Sequence, residues 1–221
     1  MKISSNNNKD VLTDIKKRIL EESIRLFASK GFDGTSIQQI ADAVGIKKPS
    51  LIYHFNSKDE LRQQVYEYLL GHWKEELPKL LSSASNEYDR FSSVVRALVE
   101  YFLENSNRSR LAIREMLDRP EYFKSLVKQH LSPWVKLVTD YIQLGKKLGL
   151  VKKDVDPEAY IVNVIMMAIG TVSVGNVISS IFEKENTDYI GPLTNELERI
   201  ARYSLLQNPF PNQKMEDKNE Y

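Results

Sequence analysis

The sequence predicts an all-α protein: an N-terminal three-helix helix-turn-helix domain followed by a larger helical domain. Apolar residues recur at helical spacing in every long segment, and no run alternates with period two over a useful length. The stretch from Thr35 to Leu61 carries the punctuation of two short helices joined by a tight turn and running into a third. A length of 221 residues admits one or two domains with a sizeable core. With 42% hydrophobic and 28% charged residues the composition is that of an ordinary globular chain, and the lack of cysteine excludes a disulfide framework and a thiolate metal site.

Residues 1 to 10, MKISSNNNKD, are polar, form no secretion signal and are expected to be disordered. A first helix is predicted from about Asp14 to Lys30, burying Ile19, Leu20, Ile24, Leu26 and Phe27 around the small Ser23. Gly31 ends it, with Phe32 packing back. Thr35 with Gln38 three residues on has the form of a capping box and starts the second helix. Ile37, Ile40, Ala41 and Val44 line one face of it, and Gly45 supplies the left-handed turn at its end. Pro49 belongs in the first turn of the next helix, about Lys48 to Phe55, which buries Leu51 and Phe55 and turns Lys47, Lys48, Ser50, Tyr53 and His54 outward. Ser57 with Glu60 caps a fourth helix carrying Leu61, Val65, Leu69, His72 and Trp73, which Pro78 kinks or ends.

Thr35-Ser36-Ile37 with Ile40-Ala41, Gly45-Ile46, Leu51, Tyr53-His54-Phe55 and Ser57-Lys58 with Glu60-Leu61 together resemble the DNA-binding domain of the tetracycline-repressor (TetR) family. The resemblance runs from about Arg18 to Leu61, roughly a fifth of the chain, with punctuating residues at fixed offsets. It implies that the helix from Lys48 enters the major groove with Lys48, Pro49 and Ser50 near base edges and Tyr53, His54 and Lys58 near phosphates. Thr35, Ser36 and Gln39 would add backbone contacts through exposed amides and side chains. Two positions depart from the family pattern. Lys47 stands where Ser or Thr is usual, bringing charge in place of a polar cap, and Ile52 stands where Tyr is usual and cannot donate to phosphate.

Lys16, Lys17 and Arg18 at the start of the first helix read either as a phosphate clamp or as a solvated helix end. Residues 1 to 62 hold 11 Lys and Arg against 8 Asp and Glu, or +3, leaving 20 against 22, or −2, for the remainder. The asymmetry is small, so DNA binding would depend on where a few cations stand rather than on a bulk basic field.

Beyond Pro78 the pattern predicts helices from Glu87 to Asn105, from Ser109 to Asp118, and from Pro120 without a break to near Gly149. Asp156-Pro157 is a helix start, and Ala159 to Phe182 holds no charged residue. Its Asn and Ser content and its flanks of mixed sign favour a helix buried on nearly all sides over a membrane span. A last helix, about Tyr189 to Leu206, shows a stripe of Ile190, Leu193, Leu197, Ile200, Ala201 and Ser204. The division expected is 11–58 for DNA binding, 59–207 for ligand binding and dimerisation, and 208–221 as a disordered tail.

His54, His72 and His130 have no metal-binding spacing, and neither a phosphate loop, a nucleophile elbow nor an apolar carboxylate pair occurs. No cofactor, no metal and no enzymatic activity are expected. The TetR resemblance implies a cytoplasmic homodimer on double-stranded operator DNA, without membrane contact, paired through its last two helices at Val177, Ile181, Leu193, Leu197, Ile200 and Ser204. The same stripe would also suit a core helix. A small-molecule effector is expected among Tyr101, Phe102, Met116, His130, Trp134, Tyr141, Met166, Met167 and Thr171 with Asn163 as a polar anchor, although a closed core would use the same residues. The alternative keeps DNA binding and docks a protein partner in place of the ligand.

Overall fold

A computed structural model describes residues 4–83, 87–179 and 186–209. Among them run ten helices: α1 Ser4–Lys30, α2 Ile37–Val44, α3 Lys48–His54, α4 Lys58–Ser83, α5 Glu87–Leu103, α6 Ser106–Asp118, α7 Pro120–His130, α8 Ser132–Lys147, α9 Pro157–Ser179 and α10 Asn186–Leu205. The sole extended pairing among these residues is one antiparallel bridge, Val151 to Leu206, so the fold is all α. Packing groups the chain into two compact units. The first holds α1 to α3, α4 as far as Glu76, α6 and α7; the second holds the end of α4, α5 and α8 to α10. The division by packing thus falls elsewhere than residue 58, because α6 and α7 share a unit with the helix-turn-helix.

In the first unit Ile19, Ile24, Phe27, Ile40, Leu51, Phe55, Leu61 and Val65 are sealed from solvent. Gly31 leaves α1 at φ 77, and a Cβ there would lie 2.9 Å from Arg114 Nη1 of α6. The left-handed backbone is what calls for glycine, since the guanidinium end of Arg114 could shift to admit a Cβ. The first helix begins at Ser4, ten residues before the expected start and inside the stretch expected to be disordered. Asn is a poor helix former, yet extending a helix already nucleated needs only one hydrogen bond per residue fixed.

The cap of α2 also corrects the sequence reading. Thr35 is 1% exposed and donates its hydroxyl to the Gly31 carbonyl at 2.8 Å and the Leu26 carbonyl at 3.3 Å, satisfying the open end of α1. The cap falls to Ser36, whose oxygen accepts from Gln39 N at 3.1 Å while Gln39 Oε1 accepts from Ser36 N at 2.8 Å. Two adjacent hydroxyls thus serve two helix ends, and the box is displaced by one residue. At the start of α4 the Ser57 hydroxyl accepts from Glu60 N at 3.0 Å, and Glu60 reaches past it to accept from Asn56 N, also at 3.0 Å.

Farther along, α4 continues through Pro78 to Ser83, so of the two outcomes expected at this proline, a kink or an end, the helix does not end there. The long helix expected after Pro120 is two helices, broken at Leu131. Pro133 explains the break, since a proline has no amide proton for the carbonyl four residues back and its ring crowds that carbonyl, whereas in the first turn of a new helix the missing proton costs nothing. Asn105 caps α6, accepting from Asn107 N at 3.1 Å, so α5 stops at Leu103 and α6 starts earlier than expected.

The second unit closes around Val95, Val99, Val164, Ala168, Leu197 and Ala201, with a neighbouring cluster of Ile142, Val151, Ile161, Leu205 and Leu206. Asp156 caps α9, its carboxylate accepting from Ala159 N at 2.8 Å. The expectation that α9 is buried on nearly all sides fails. It packs against α5, α8 and α10 through Ile161, Val164, Ala168 and Ile169, leaving Val162, Met166, Val174 and Val177 exposed. By length and composition Pro157–Gly175 could cross a membrane; a core face opposite an exposed apolar stripe is also what a helix awaiting a partner shows.

A buried carboxylate of the first unit gives a stability prediction. Glu115 of α6 is 3% exposed, and burial pushes its carboxyl above the ordinary 4.5 against the opposing pull of Tyr66, Arg62 and Arg119. A carboxyl whose folded value is raised contributes stability fully present below 4.5 and lost as pH rises through the folded value, because the folded state holds the proton more tightly. Glu115→Gln keeps the shape without the titration. The decline of Tm with rising pH over that window should flatten in this variant, and an unchanged profile would contradict the assignment.

Candidate nucleic-acid interface

The helix-turn-helix is built from the turn outward. Gly45, at φ 76, ends α2 and donates its amide to the Ala41 and Asp42 carbonyls. Two residues later Lys47 takes the N-cap of α3 in extended backbone, without a side-chain cap, and Pro49 occupies the first turn where its missing proton costs nothing. Leu51 and Phe55, four apart, are sealed inward. That fixes the rotation of α3, and Lys47, Lys48 and Pro49 are exposed at its start with Tyr53 exposed one turn on, at 79%. The Tyr53 ring meets His54 edge-on at 5.5 Å. Ser50 and His54 are half-buried at the margins of this face. A tyrosine 79% exposed adds little to the core, whereas a phenol on a helix that opens with Lys47 and Lys48 suits a phosphate and sugar edge.

Ser36 and Gln39 are exposed at the start of α2, where backbone amides open to solvent favour an anion. Thr35 is corrected here: its side chain is committed inward and cannot make the exposed contact expected of it. The clamp expected from α1 is also largely engaged within the chain. Arg18 Nη2 donates to the Val44 carbonyl at 2.8 Å, placing a cation on the C-terminus of α2. Lys17 lies 3.9 Å from Glu21, and Lys16 bonds Gln64 at 3.3 Å with its ammonium 5.5 Å from the Phe55 ring centre. Lys58 is half-buried, its Nζ 4.2 Å from the Phe32 ring centre. Burial lowers its pKa, with Asp33 and Asp59 pulling the other way.

The expected seam residues separate. Val177 and Ile200 are exposed at 68% and 42%, Leu193 is half-buried, and Ile181 lies outside the described residues. Leu197 is 4% exposed inside its own subunit core, a correction of its place in the seam. Ser204 is exposed, with its hydroxyl donating to the Ile200 carbonyl at 2.9 Å. Of the expected ligand set, Tyr101 and Phe102 are buried in the second unit, where Trp134, Tyr141, Met167 and Thr171 are half-buried. Met116 and His130 belong to the first unit. Asn163 and Met166 are corrected: both face outward, and the Asn163 amide donates to the Ala159 carbonyl of its own helix at 2.8 Å. Among the described residues there is no group of His, Cys, Asp or Glu able to hold a metal ion.

A short helix seated on a sealed inner face, with two lysines at its start and an exposed tyrosine, defines a helix-turn-helix DNA-binding protein. Residues 19–65 match the sequence model for bacterial regulatory proteins of the tetR family, and residues 89–189 match that for a tetracyclin repressor-like C-terminal domain. The chain belongs to the TetR family of transcriptional regulators. Similar to it is the biofilm operon icaADBC negative transcriptional regulator IcaR of Staphylococcus epidermidis, 28% identical over 117 residues that make up 53% of this chain and 61% of that protein. The chain therefore spans under two thirds of the length of this relative. Among solved structures, the ketosteroid regulator KstR2 of Mycobacterium tuberculosis superposes with a TM-score of 0.65 at 19% identity, over 87% of this chain and 95% of that one. FadR of Bacillus subtilis in complex with stearoyl-CoA gives 0.68 at 12% identity, over 85% and 98%. At such identities the likeness establishes the fold alone. Regulators of the TetR family bind operator DNA and small-molecule effectors and act as dimers.

Proposed function

We propose that this protein is a cytoplasmic transcriptional repressor that occupies a pseudopalindromic operator as a homodimer and leaves it when a small, mostly apolar molecule binds the second unit. The observation that carries the DNA reading is the rotation of α3: Leu51 and Phe55 hold it from within, and Lys47, Lys48, Pro49, Ser50, Tyr53 and His54 are left for the groove. Ser36, Gln39 and Lys58 supply flanking backbone contacts. One helix of this length offers few base contacts, so two related by a dyad about 34–36 Å apart are needed to read half-sites one turn apart.

The exposed stripe of α9 supports dimerisation. Val162, Met166, Gly170, Val174 and Val177 follow one another at spacings of three or four, and a Cβ built on Gly170 would meet nothing within 4 Å. A flat apolar face with a glycine at its centre lets another helix approach closely. Ile200 and Tyr203 of α10 are also exposed.

The effector reading draws on the aromatic and methionine side chains of the second unit, Tyr101, Phe102, Trp134, Tyr141 and Met167 with Thr171. The family, and a fold shared with a regulator crystallised with stearoyl-CoA, supports an apolar ligand class. A repressor role is supported by likeness to a negative regulator. Selecting bound fragments from random DNA tests the first half of the proposal, with an inverted repeat expected. A library of apolar compounds, screened by thermal shift and then by release of that fragment, tests the second. A ligand at 100 times its Kd stabilises by about 2.7 kcal/mol, and a preference of ~1–3 kcal/mol for the released arrangement lowers DNA affinity roughly 5- to 150-fold. A screen in which no compound does both would favour a protein partner.

A further inference from the structure

Phe32, at the corner between α1 and α2, lies 5.4 Å from the ring of Phe27 and is approached by three cations. Lys58 Nζ and the Arg62 guanidinium carbon each stand 4.2 Å from its ring centre, and the Arg119 guanidinium carbon 4.7 Å. Lys58 and Arg62 come from the start of α4, directly after the recognition helix, while Arg119 is the junction residue that ends α6 and opens α7. Arg119 Nη2 also donates to both carboxylate oxygens of Asp33, at 2.8 and 2.9 Å.

Arg62 is 8% exposed, its guanidinium held between the rings of Phe32 and Tyr122 at 4.2 Å from each and bonded to Asp59 at 2.9 Å. A planar guanidinium can stack on two rings at once; an ammonium cannot. The elbow between α6 and α7 and the beginning of α4 therefore grip the same corner of the helix-turn-helix. Three cations about one ring repel each other, and Asp33 and Asp59 supply the opposing charge.

We propose that this cage is a positioning device for operator binding: Arg119 with Asp33, and Arg62 between its two rings, set the angle at which α3 is presented without themselves touching DNA. The proposal rests on the reading that α3 binds DNA. It differs from bulk electrostatics in sign at one residue. Removing the charge of Asp33 would by long-range attraction strengthen DNA binding, whereas loosening the corner weakens it.

The test uses the full chain and the DNA fragment it selects, with affinity and salt dependence measured for wild type, Asp33→Asn, Arg119→Gln, the double variant and Arg62→Lys, each shown folded by its thermal transition. Each single variant is expected to bind about 5-fold more weakly. The double is expected to be no weaker than the singles, because both remove one interaction. All should keep the wild-type salt slope, since no phosphate contact is lost. Unchanged or strengthened binding by Asp33→Asn, additive losses in the double variant, or a slope reduced by about 1 for Arg119→Gln would each overturn the proposal. Tyr53→Ala is measured alongside. If it loses binding while the cage variants do not, the cage alone is refuted; if it binds as wild type does, the α3 reading fails and the cage with it.

Discussion

Leu197→Glu should leave a protein with little or no cooperative unfolding transition, not a folded monomer. Leu197 lies in the core of the second unit among Val95, Val99, Val164, Ala168 and Ala201. Losing a buried leucine costs ~2–5 kcal/mol. The carboxylate must then either shed its hydration or take up a proton, adding to the loss. Against a total of ~5–15 kcal/mol for a typical domain the sum is decisive. Urea unfolding followed by circular dichroism would show it, and a midpoint close to that of wild type would place Leu197 outside the core.

Val177→Glu with Ile200→Glu is expected to do the opposite. Both positions are exposed within one chain, at 68% and 42%, so the fold survives while two charges confront their dyad mates in the seam. Sedimentation should show a folded monomer. Operator affinity should fall by about 100-fold or more, since two tethered half-site contacts lose their mutual reinforcement. A double variant that remains dimeric would move the seam away from α9 and α10. The contrast with Leu197→Glu separates a core stripe from a pairing stripe on adjacent turns of α10.

Much of this architecture is legible in the residues because local signals agree with the fold. Gly31 and Gly45 mark the helix ends they serve, Pro49 opens α3, and Leu51 with Phe55 fixes its inner face. The errors arise where two residues of similar chemistry compete, or where only packing decides. Thr35 and Ser36 can each cap a helix, and the choice depends on the open carbonyls of α1, which the local pattern does not reveal. Pro133 is a local signal for the break at Leu131, but the apolar periodicity runs across it without interruption.

On α10, Leu193, Leu197 and Ile200 share a helical stripe in sequence, yet burial parts Leu197 from Ile200 because α5 and α9 cover only one flank. Arg62, Glu115 and Arg119 gave no signal at all. A charged residue in a helical segment reads as wet surface until its neighbours are known, and the rings that enclose Arg62 come from places far apart in the chain, Phe32 from the turn after α1 and Tyr122 from α7. At the interface the outward residues of α3 were readable, whereas the diversion of Arg18 to the end of α2 was not.

The central claim is that the outer face of α3 binds DNA, and the most direct test is the affinity of the Lys48→Ala, Tyr53→Ala, His54→Ala triple variant for the selected fragment, measured across a salt series. All three side chains lie outside the sealed core, so the variant should fold as wild type does. The predicted result is binding reduced to the non-specific level, a loss of roughly 1,000-fold or more, with a shallower salt slope from the missing charge and phosphate contacts. A folded triple variant that keeps wild-type affinity and slope would contradict the account.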